Sequence, residues 1–486
     1  MDSHHQVEEH HKENGDSITH NNNNNNNNNY APKKPKLSQW ITESEIRQEF
    51  SHHDPRIARI NNGSFGSCPR SVLSAQTEWQ LRFLRQPDDF YFNHLQKGIL
   101  ASRKLIKDLI NADDVEEVSI VDNATTATAI VLQQIGWAYT EGRFQKGDST
   151  VMLHYAYGAV KKSIQAKALE KGKSNGGKVR LAVIDHITSM PSVVIPVKDL
   201  VKICREEGVD QVFVDAAHAI GNVHLDMKEI GADFYTSNLH KWFFCPPSIA
   251  FLYCRKSPLP SDLHHPVVSH EYGNGLAVES AWIGTRDYSS QLVVPSVLEF
   301  INRFEGGIEG IMERNHKAVV EMGEMLAKAW GTHLGSPSSM CPSMAMVGLP
   351  PCLGISREAD CARLRVHLRD NFGIEVPIYF KETIEEDSGT QLISWSRMDS
   401  LANCFTLTDK MTGDPSQSRI TGMLFSFPGL SPVNYSFKTI EQWLYQQRIA
   451  INVMLINSLE MNENGPDVSS GYCFAVIDAY ALVYIA

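Results

Sequence analysis

The sequence predicts an α/β protein: a large domain built on a mostly parallel, doubly wound sheet, followed by a smaller α+β domain. Strand and helix patterns alternate between residues 116 and 254, the order that builds parallel sheets. Residues 211–214 form a short apolar strand, as expected where helices cover both faces of a sheet. Beyond residue 330, the order strand (340–347), helix (357–371) and strand (373–379) indicates the smaller domain.

We divide the chain into four segments. Residues 1–37 are rich in His, Asn and Lys, with nine consecutive asparagines, and cannot bury enough apolar area to fold. Residues 38–310 are the expected large domain with an N-terminal arm, and 311–430 the small domain. Residues 431–486 form an atypical tail without a clear period. The basic run 32–36 is either a short nuclear-import signal or a solvated linker.

Composition excludes several classes of protein. A formal net charge of −11 without a basic cluster in the body argues against nucleic acid as the main partner. The nine cysteines lack metal-like pairs, so we expect no metal site and a reducing compartment. No apolar run reaches about 18 residues, so we expect no membrane contact. With no secretory signal pattern, the expected location is cytoplasmic, with nuclear as an alternative.

The helical segments are read from caps and periodicity. Thr42, with Glu45 three residues later, predicts a capped helix start. Residues 71–110 carry a helical period with one apolar face, and residues 289 to about 330 run helical and contain the domain boundary.

A loop between a strand (116–121) and an apolar helix (127–137) is a candidate anion site. Such a layout points backbone N–H groups at a phosphate, and the hydroxyls of Thr125 and Thr126 suit the same anion. The alternative is a plain helix cap at Asn123 or Thr125. Two further segments are ambiguous alone: the Gly-rich turn at 60–66 that contains Asn62, and the aromatic residues Tyr155 and Tyr157. The turn either allows close backbone approach to a ligand or is an ordinary turn, which the segment alone favours. The rings either stack on a heteroaromatic cofactor or pack in the core.

The chain is organised around residues 210–242. Asp215 ends an apolar strand, His218 follows three residues later, and Lys241 follows a second apolar run. We interpret Asp215 as the partner of a pyridinium nitrogen and Lys241 as a Schiff-base lysine, which together describe a pyridoxal 5′-phosphate (PLP) site. His218 either bonds the phenolic oxygen of the cofactor or only packs. Taken singly, Asp215 is equally well explained as a helix cap or as part of a salt bridge, and Lys241 as an ordinary surface residue.

At these residues the sequence resembles the class V aminotransferase family, of PLP fold type I. The matching motifs lie at residues 61–66, 214–219, 237–242 and 284–287, and the resemblance covers roughly residues 40–379. Within the family it is most similar to plant L-cysteine desulfhydrases and their isopenicillin-N-epimerase-like relatives.

The resemblance implies a homodimer with active sites at its interface. It assigns phosphate contacts to Thr125, Asn238 and His240, with Thr285 reaching the phosphate of the neighbouring subunit. Tyr155 falls at the ring-stacking position, where many relatives have histidine. Asn62 and Tyr157 are the expected substrate contacts.

The end of the chain departs from the family pattern. The family usually has an arginine in a late strand that clamps the substrate carboxylate bidentately. Here Arg419, Ile420, Thr421 and Gly422 are followed by residues 423–426, which replace the expected segment.

The expected function is a carbon–sulfur lyase that degrades L-cysteine to hydrogen sulfide, pyruvate and ammonia by β-elimination, through an external aldimine. A cysteine desulfurase is an alternative that needs a reactive cysteine near the site, and Cys341 is the candidate. An amino-acid epimerase or another β-lyase on the same fold is also open. The departure at the carboxylate clamp supports a further alternative, a non-catalytic PLP-fold protein.

Overall fold

The computed structural model describes residues 40–145, 148–153, 156–168, 177–256, 263–382 and 471–478. The segment expected to be disordered (1–37), Arg419 to Gly422, and the tail apart from residues 471–478 lie outside the described residues.

The strands are named in chain order: β1 (Ala58–Arg59), β2 (Val118–Val121), β3 (Ser149–Met152), β4 (Val179–Asp185), β5 (Gln211–Asp215), β6 (Phe234–Asn238), β7 (Ala250–Cys254), β8 (Met344–Gly348), β9 (Ile374–Glu375), β10 (Ile378–Glu382) and β11 (Gly471–Asp478). The α-helices are α1 (Glu43–Glu49), α2 (Asn62–Phe65), α3 (Arg70–Arg85), α4 (Pro87–Asp89), α5 (Gln96–Leu109), α6 (Ala124–Thr140), α7 (Gly158–Ala168), α8 (Val197–Glu206), α9 (Met227–Ile230), α10 (Leu239–Trp242), α11 (Leu276–Glu279), α12 (Ser289–Leu292), α13 (Val294–Ile301), α14 (Gly307–Trp330) and α15 (Glu358–Phe372).

Six strands form the main sheet, in the order β2-β7-β6-β5-β4-β3. Strands β3 to β6 pair in parallel, whereas β7 is antiparallel to both of its neighbours. Apolar clusters cover both faces: Ala182 and Val212 belong to one, and Val183 and Phe213 to the other, which packs on α6 and α7. The prediction of an α/β fold with a mostly parallel, doubly wound sheet is confirmed, and the carboxyl ends of β4, β5 and β6 form one edge.

The helix predictions are confirmed in position but not in continuity. Thr42 caps α1 through a capping box with Glu45, as expected. The helical stretch predicted over 71–110 is interrupted at Gln86, and a π-helical turn (Phe90–Leu95) leads into α5. The single helix predicted from 289 to about 330 is wrong. It is three helices, and Gly306 and Gly307, both with positive φ, separate α13 from α14.

A second, three-stranded sheet has the order β10-β11-β8 and is antiparallel throughout. Its central strand, β11, comes from the tail in which the sequence shows no clear period. The strand predicted at 373–379 is split into β9 and β10, because Pro377 separates them and lacks an N–H for a ladder bond. Among the described helices, none is long and apolar enough to cross a membrane.

Candidate active site

A cavity of about 170 Å³ opens at the edge where β4, β5 and β6 end. The residues that line it come from these strand ends, from the start of α6, and from the turns that precede α3 and α7. They are Ser64, Asn123, Ala124, Thr125, Thr128, Tyr157, Val160, Asp185, Ile187, Ser189, Asp215, Ala217, His218, Asn238, His240 and Lys241. The cavity therefore lies where ligands bind in open α/β sheets.

The N-terminus of α6 forms one end of the cavity. The Ala124 N–H donates to Asn238 Oδ1 over 2.9 Å, which joins the start of the helix to the end of β6. Asn123 caps the helix by accepting from the Thr126 N–H at 2.9 Å, and the Thr126 hydroxyl donates to the same oxygen at 3.3 Å. Thr125, which is exposed, lines the cavity. A long helix that begins at a cavity with a free hydroxyl beside it suits a phosphate group.

Asp215 and Lys241 face the same space from β5 and α10. Asp215 is 5% exposed, and its Oδ1 accepts the Ala217 N–H at 3.1 Å. Burial raises the pKa of Asp215, while the Ala217 N–H and the Lys241 charge oppose that rise. Burial also lowers the pKa of Lys241 to about 8, against the opposing effect of Asp215. An appreciable fraction of Lys241 is thus a neutral amine near neutral pH, as a nucleophile or base requires.

His218 links Lys241 to the core. The indole N–H of Trp242 donates to His218 Nδ1 at 3.3 Å, and His218 Nε2 lies 3.0 Å from Lys241 Nζ. Burial and the charges of Lys241 and His240 hold the pKa of His218 well below its usual range, so the ring is neutral. Because an indole nitrogen can only donate, Nδ1 is the acceptor and Nε2 carries the proton. The Nε2–H therefore points into the cavity and donates to the neutral Lys241 amine.

Two glycines clamp the turn that carries Lys241. A Cβ on Gly66 would lie 1.6 Å from the His240 carbonyl oxygen, and one on Gly221 would lie 2.3 Å from the Trp242 carbonyl oxygen. Both glycines have a positive φ, +75° and +78°. No other residue allows these backbones to pack so closely on the carbonyls that flank Lys241.

The structure brings together most of the predicted site residues. Thr125, Tyr157, Asp215, His218, Asn238, His240 and Lys241 all line the cavity. His240 Nδ1 donates to the Ile249 carbonyl oxygen at 3.0 Å, which leaves Nε2 as the nitrogen free to face a ligand.

Three of the predicted residues do not line the cavity, and a fourth is not described. Thr126 does not line the cavity; its N–H and hydroxyl donate to the side-chain oxygen of Asn123, which caps α6. Asn62 lies behind the cavity on α2, 1% exposed, and neither atom of its amide has a hydrogen-bond partner among the described residues. Thr285 is exposed and outside this cavity. Tyr155 lies outside the described residues.

The sequence analysis missed several lining residues, of which Asp185 has the clearest chemistry. It ends β4 as Asp215 ends β5, and it is 3% exposed. An acidic residue at the end of an apolar strand was the signal used for Asp215, and the same signal is present at residues 181–185. Ser64 and Ser189 carry no comparable signal.

The donor set fits pyridoxal phosphate. It supplies a helix N-terminus with Thr125 for a phosphate, a buried carboxylate at Asp215 for a ring nitrogen, and an amine at Lys241 for an aldehyde. Asp185 also lines the cavity, and its buried Oδ2 has no hydrogen-bond partner among the described residues.

This chain is similar to several known proteins. The aminotransferase class-V family profile matches residues 148–274. The chain is 66% identical over 382 residues to the "Probable L-cysteine desulfhydrase, chloroplastic" of Arabidopsis thaliana, covering 72% of this chain and 80% of that protein. It is 61% identical over 390 residues to the "L-cysteine desulfhydrase" of the same plant, covering 74% and 86%. A solved structure of a cystine C–S lyase with its product cysteine persulfide superposes with a TM-score of 0.54 at 21% identity, over 67% of this chain and 91% of that one.

Proposed function

Because this chain belongs to the class V aminotransferase family, as its 61–66% identity to plant relatives over most of their length shows, we propose that it is a PLP-dependent L-cysteine desulfhydrase. The proposed reaction converts cysteine and water to hydrogen sulfide, pyruvate and ammonia. The observation that carries the proposal is the convergence of Asp215, His218 and Lys241 on one cavity at the strand ends.

Each residue has a defined task in this reaction. Bound pyridoxal phosphate supplies an electron sink for negative charge at the substrate Cα. Thr125, Asn238 and His240 would hold its phosphate, and Asp215 would keep its ring nitrogen protonated. As a neutral amine, Lys241 Nζ would take the Cα proton, and its lowered pKa of about 8 suits a base near neutral pH. The resulting Lys241 ammonium would return a proton to the departing thiolate.

The described cysteines favour the lyase over the desulfurase. Cys341, the candidate nucleophile of a desulfurase, is 2% exposed, and its Sγ lies 3.4 Å from the Ser336 hydroxyl. Burial raises its pKa, which disfavours the thiolate. None of the seven cysteines whose side chains the structure describes lines the cavity. A persulfide acceptor at these positions is therefore not supported.

The test is a set of product assays on the purified full chain with PLP and L-cysteine. Sulfide and pyruvate rising together, with a visible absorption band that shifts when cysteine is added, is the expected result. Lys241→Ala should abolish both products and the band. Lys198→Ala, whose ion pair with Glu229 is exposed, is the matched lysine control and should behave like the wild type. Alanine in place of pyruvate would favour the desulfurase. A band without turnover would favour a non-catalytic protein.

We also propose the homodimer that the family resemblance implies. The supporting feature is the side chain of Phe92, which is 72% exposed and whose ring centroid lies 6.2 Å from that of the half-buried Trp282, three residues before Thr285 in the chain. If Thr285 reaches a neighbouring subunit's phosphate, Phe92→Glu should shift the protein to monomers in sedimentation and weaken PLP binding. A monomeric wild-type protein with full activity would refute the dimer.

A cytoplasmic location, with the nucleus as the alternative, is a separate proposal. One relative is named as chloroplastic, which does not match the cytoplasmic or nuclear location expected from the sequence. Imaging the full chain with a C-terminal fluorescent tag distinguishes these compartments.

A further inference from the structure

Two acidic side chains end neighbouring strands of the main sheet. Asp185 and Asp215 are in register as the last residues of β4 and β5, which run parallel. Neighbouring strands lie about 4.8 Å apart, and side chains in register point to the same face. Val183 and Phe213, two residues earlier on each strand, both belong to the apolar cluster under α6 and α7, so the two carboxyl groups share that face.

The carboxyl groups of this pair cannot both be charged at low cost. Asp185 and Asp215 are 3% and 5% exposed, and both line the cavity. Two like charges at this separation and burial repel strongly, so one of the groups keeps its proton. The surroundings of the two carboxyl groups determine which of them keeps its proton.

The surroundings make Asp215 the anion. Asp215 accepts the Ala217 N–H, and the charge of Lys241 in its protonated form also favours the Asp215 anion. The backbone N–H groups of Asp185 and Tyr157 and the charge of Lys161 on α7 favour the charged form of Asp185. Its Oδ2 is nevertheless buried without a hydrogen-bond partner among the described residues. Burial, followed by the charge of Asp215, raises the pKa of Asp185 well above its usual range. A protonated Oδ2 becomes a donor, and Asp215 is the anion beside it.

We propose that Asp185 is a positioning residue, a neutral carboxylic acid whose O–H donates a hydrogen bond to the Asp215 carboxylate. That bond would hold Asp215 in the orientation that meets the ring nitrogen of the cofactor, and it would keep the negative charge on Asp215. The inference rests on the proposed function, because it assigns a role toward the same cofactor.

Two substitutions separate the neutral acid from a charged one. Asp185→Asn keeps the shape and a donor but cannot ionise, whereas Asp185→Leu keeps the approximate size and removes the donor. If Asp185 acts as a neutral donor, the Asn variant should resemble the wild type. If Asp185 acts as an anion paired with Lys161, the Asn and Leu variants should fail alike.

The first measurement is the dissociation constant of PLP from the apo form of the full chain, by fluorescence titration. Asp185→Asn should bind within about threefold of the wild type. Asp185→Leu should bind roughly 10- to 100-fold more weakly, since a hydrogen bond to a charged group is lost. Equal affinity of the Leu variant and the wild type would overturn the proposal, as would equal loss in both variants. A wild-type chain that does not bind PLP would overturn the proposed function instead.

The second measurement needs no cofactor. When the pKa of a carboxyl group is raised in the folded state, the folded protein holds the proton more tightly than the unfolded chain does. The stability that this proton contributes is lost as the pH rises through the folded-state pKa. The apo wild type should therefore lose thermal stability with rising pH relative to Asp185→Asn. Lys161 and Lys241 are present in both proteins, whereas Asp215 titrates together with Asp185, so the difference between the two profiles reports the ionisation of the Asp185–Asp215 pair. Parallel pH profiles would overturn the neutral acid even if PLP binds.

Discussion

Replacement of Gly66 by alanine should break the clamp on the Lys241 turn. The new Cβ would lie 1.6 Å from the His240 carbonyl oxygen, whereas real Cβ contacts are not shorter than 3.0 Å. The two segments must therefore separate by about 1.4 Å, the difference between these distances. The overlap is with backbone, so it cannot be relieved by rotating a side chain.

The magnitude follows from two contributions. At φ +75° and ψ −175°, a region that essentially only glycine occupies, a residue with a Cβ costs about 1–3 kcal/mol, and forced repacking of a buried contact costs about 1–3 kcal/mol. We expect the free energy of unfolding to fall by about 2–6 kcal/mol. The displacement also moves Lys241, so the variant should lose reactivity with PLP even where it remains folded.

The assay combines denaturant unfolding of the apo chain with borohydride trapping of PLP on Lys241. Gly136→Ala is the matched control, because Gly136 lies within α6 and a Cβ there would meet no atom within 4 Å. That variant should be more stable than the wild type by about 0.5–1 kcal/mol and trap PLP normally. If Gly66→Ala were as stable as Gly136→Ala, the steric reasoning would be refuted. Reduced stability with normal trapping would refute the link to Lys241.

Three further predictions follow from the same contacts. The pKa of Lys241 is about 8 in the folded state and 10.5 when unperturbed, so between these pH values the unfolded state binds more protons and the free energy of unfolding rises with pH. Relative to Lys241→Met, the apo wild type should gain about 3 kcal/mol of stability from pH 8 to 10.5. A difference between the two proteins that does not change with pH would contradict a buried lysine. Trp242→Phe removes the donor to His218 Nδ1, so ¹⁵N NMR of the histidines should show His218 as a mixture of the Nδ1–H and Nε2–H tautomers. The loss of this hydrogen bond should lower the free energy of unfolding by about 1–3 kcal/mol. An unchanged tautomer would show that the indole does not select it. Cys341→Ala should leave sulfide and pyruvate formation unchanged, because the thiol is buried outside the cavity, and loss of alanine formation in this variant would instead identify a desulfurase.

The chemistry of the site could be predicted where it follows strand ends along the chain. Asp215 and Lys241 each come after an apolar run, and a parallel sheet gathers such ends at one edge. What the sequence could not show is which ends become neighbours. Asp185 meets Asp215 only because β4 pairs with β5 in one particular register, and register depends on the whole sheet.

Gly66 shows a second kind of limit. The sequence leaves its turn open as either an ordinary turn or a place where backbone approaches a ligand, but the close approach is to the His240 carbonyl, which lies on the turn that holds the reactive lysine. The C-terminal tail shows a third kind of limit. Strand β11 pairs between β10 and β8, and neighbours so distant along the chain leave no local period to read.

The protonation states of the cavity fit one another. Burial favours the neutral forms of Asp185, His218 and His240 and makes the neutral form of Lys241 accessible, while the Ala217 N–H supports the charge on Asp215. Lys241, whose pKa is lowered to about 8, is thus a lining side chain whose charge changes near neutral pH. A proton taken from a substrate onto Lys241 Nζ creates a cation beside the Asp215 anion, in surroundings where such a pair attracts more strongly than in water. Burial thus keeps part of Lys241 neutral and able to take a proton, while the Asp215 charge opposes that effect and stabilises the ammonium that forms.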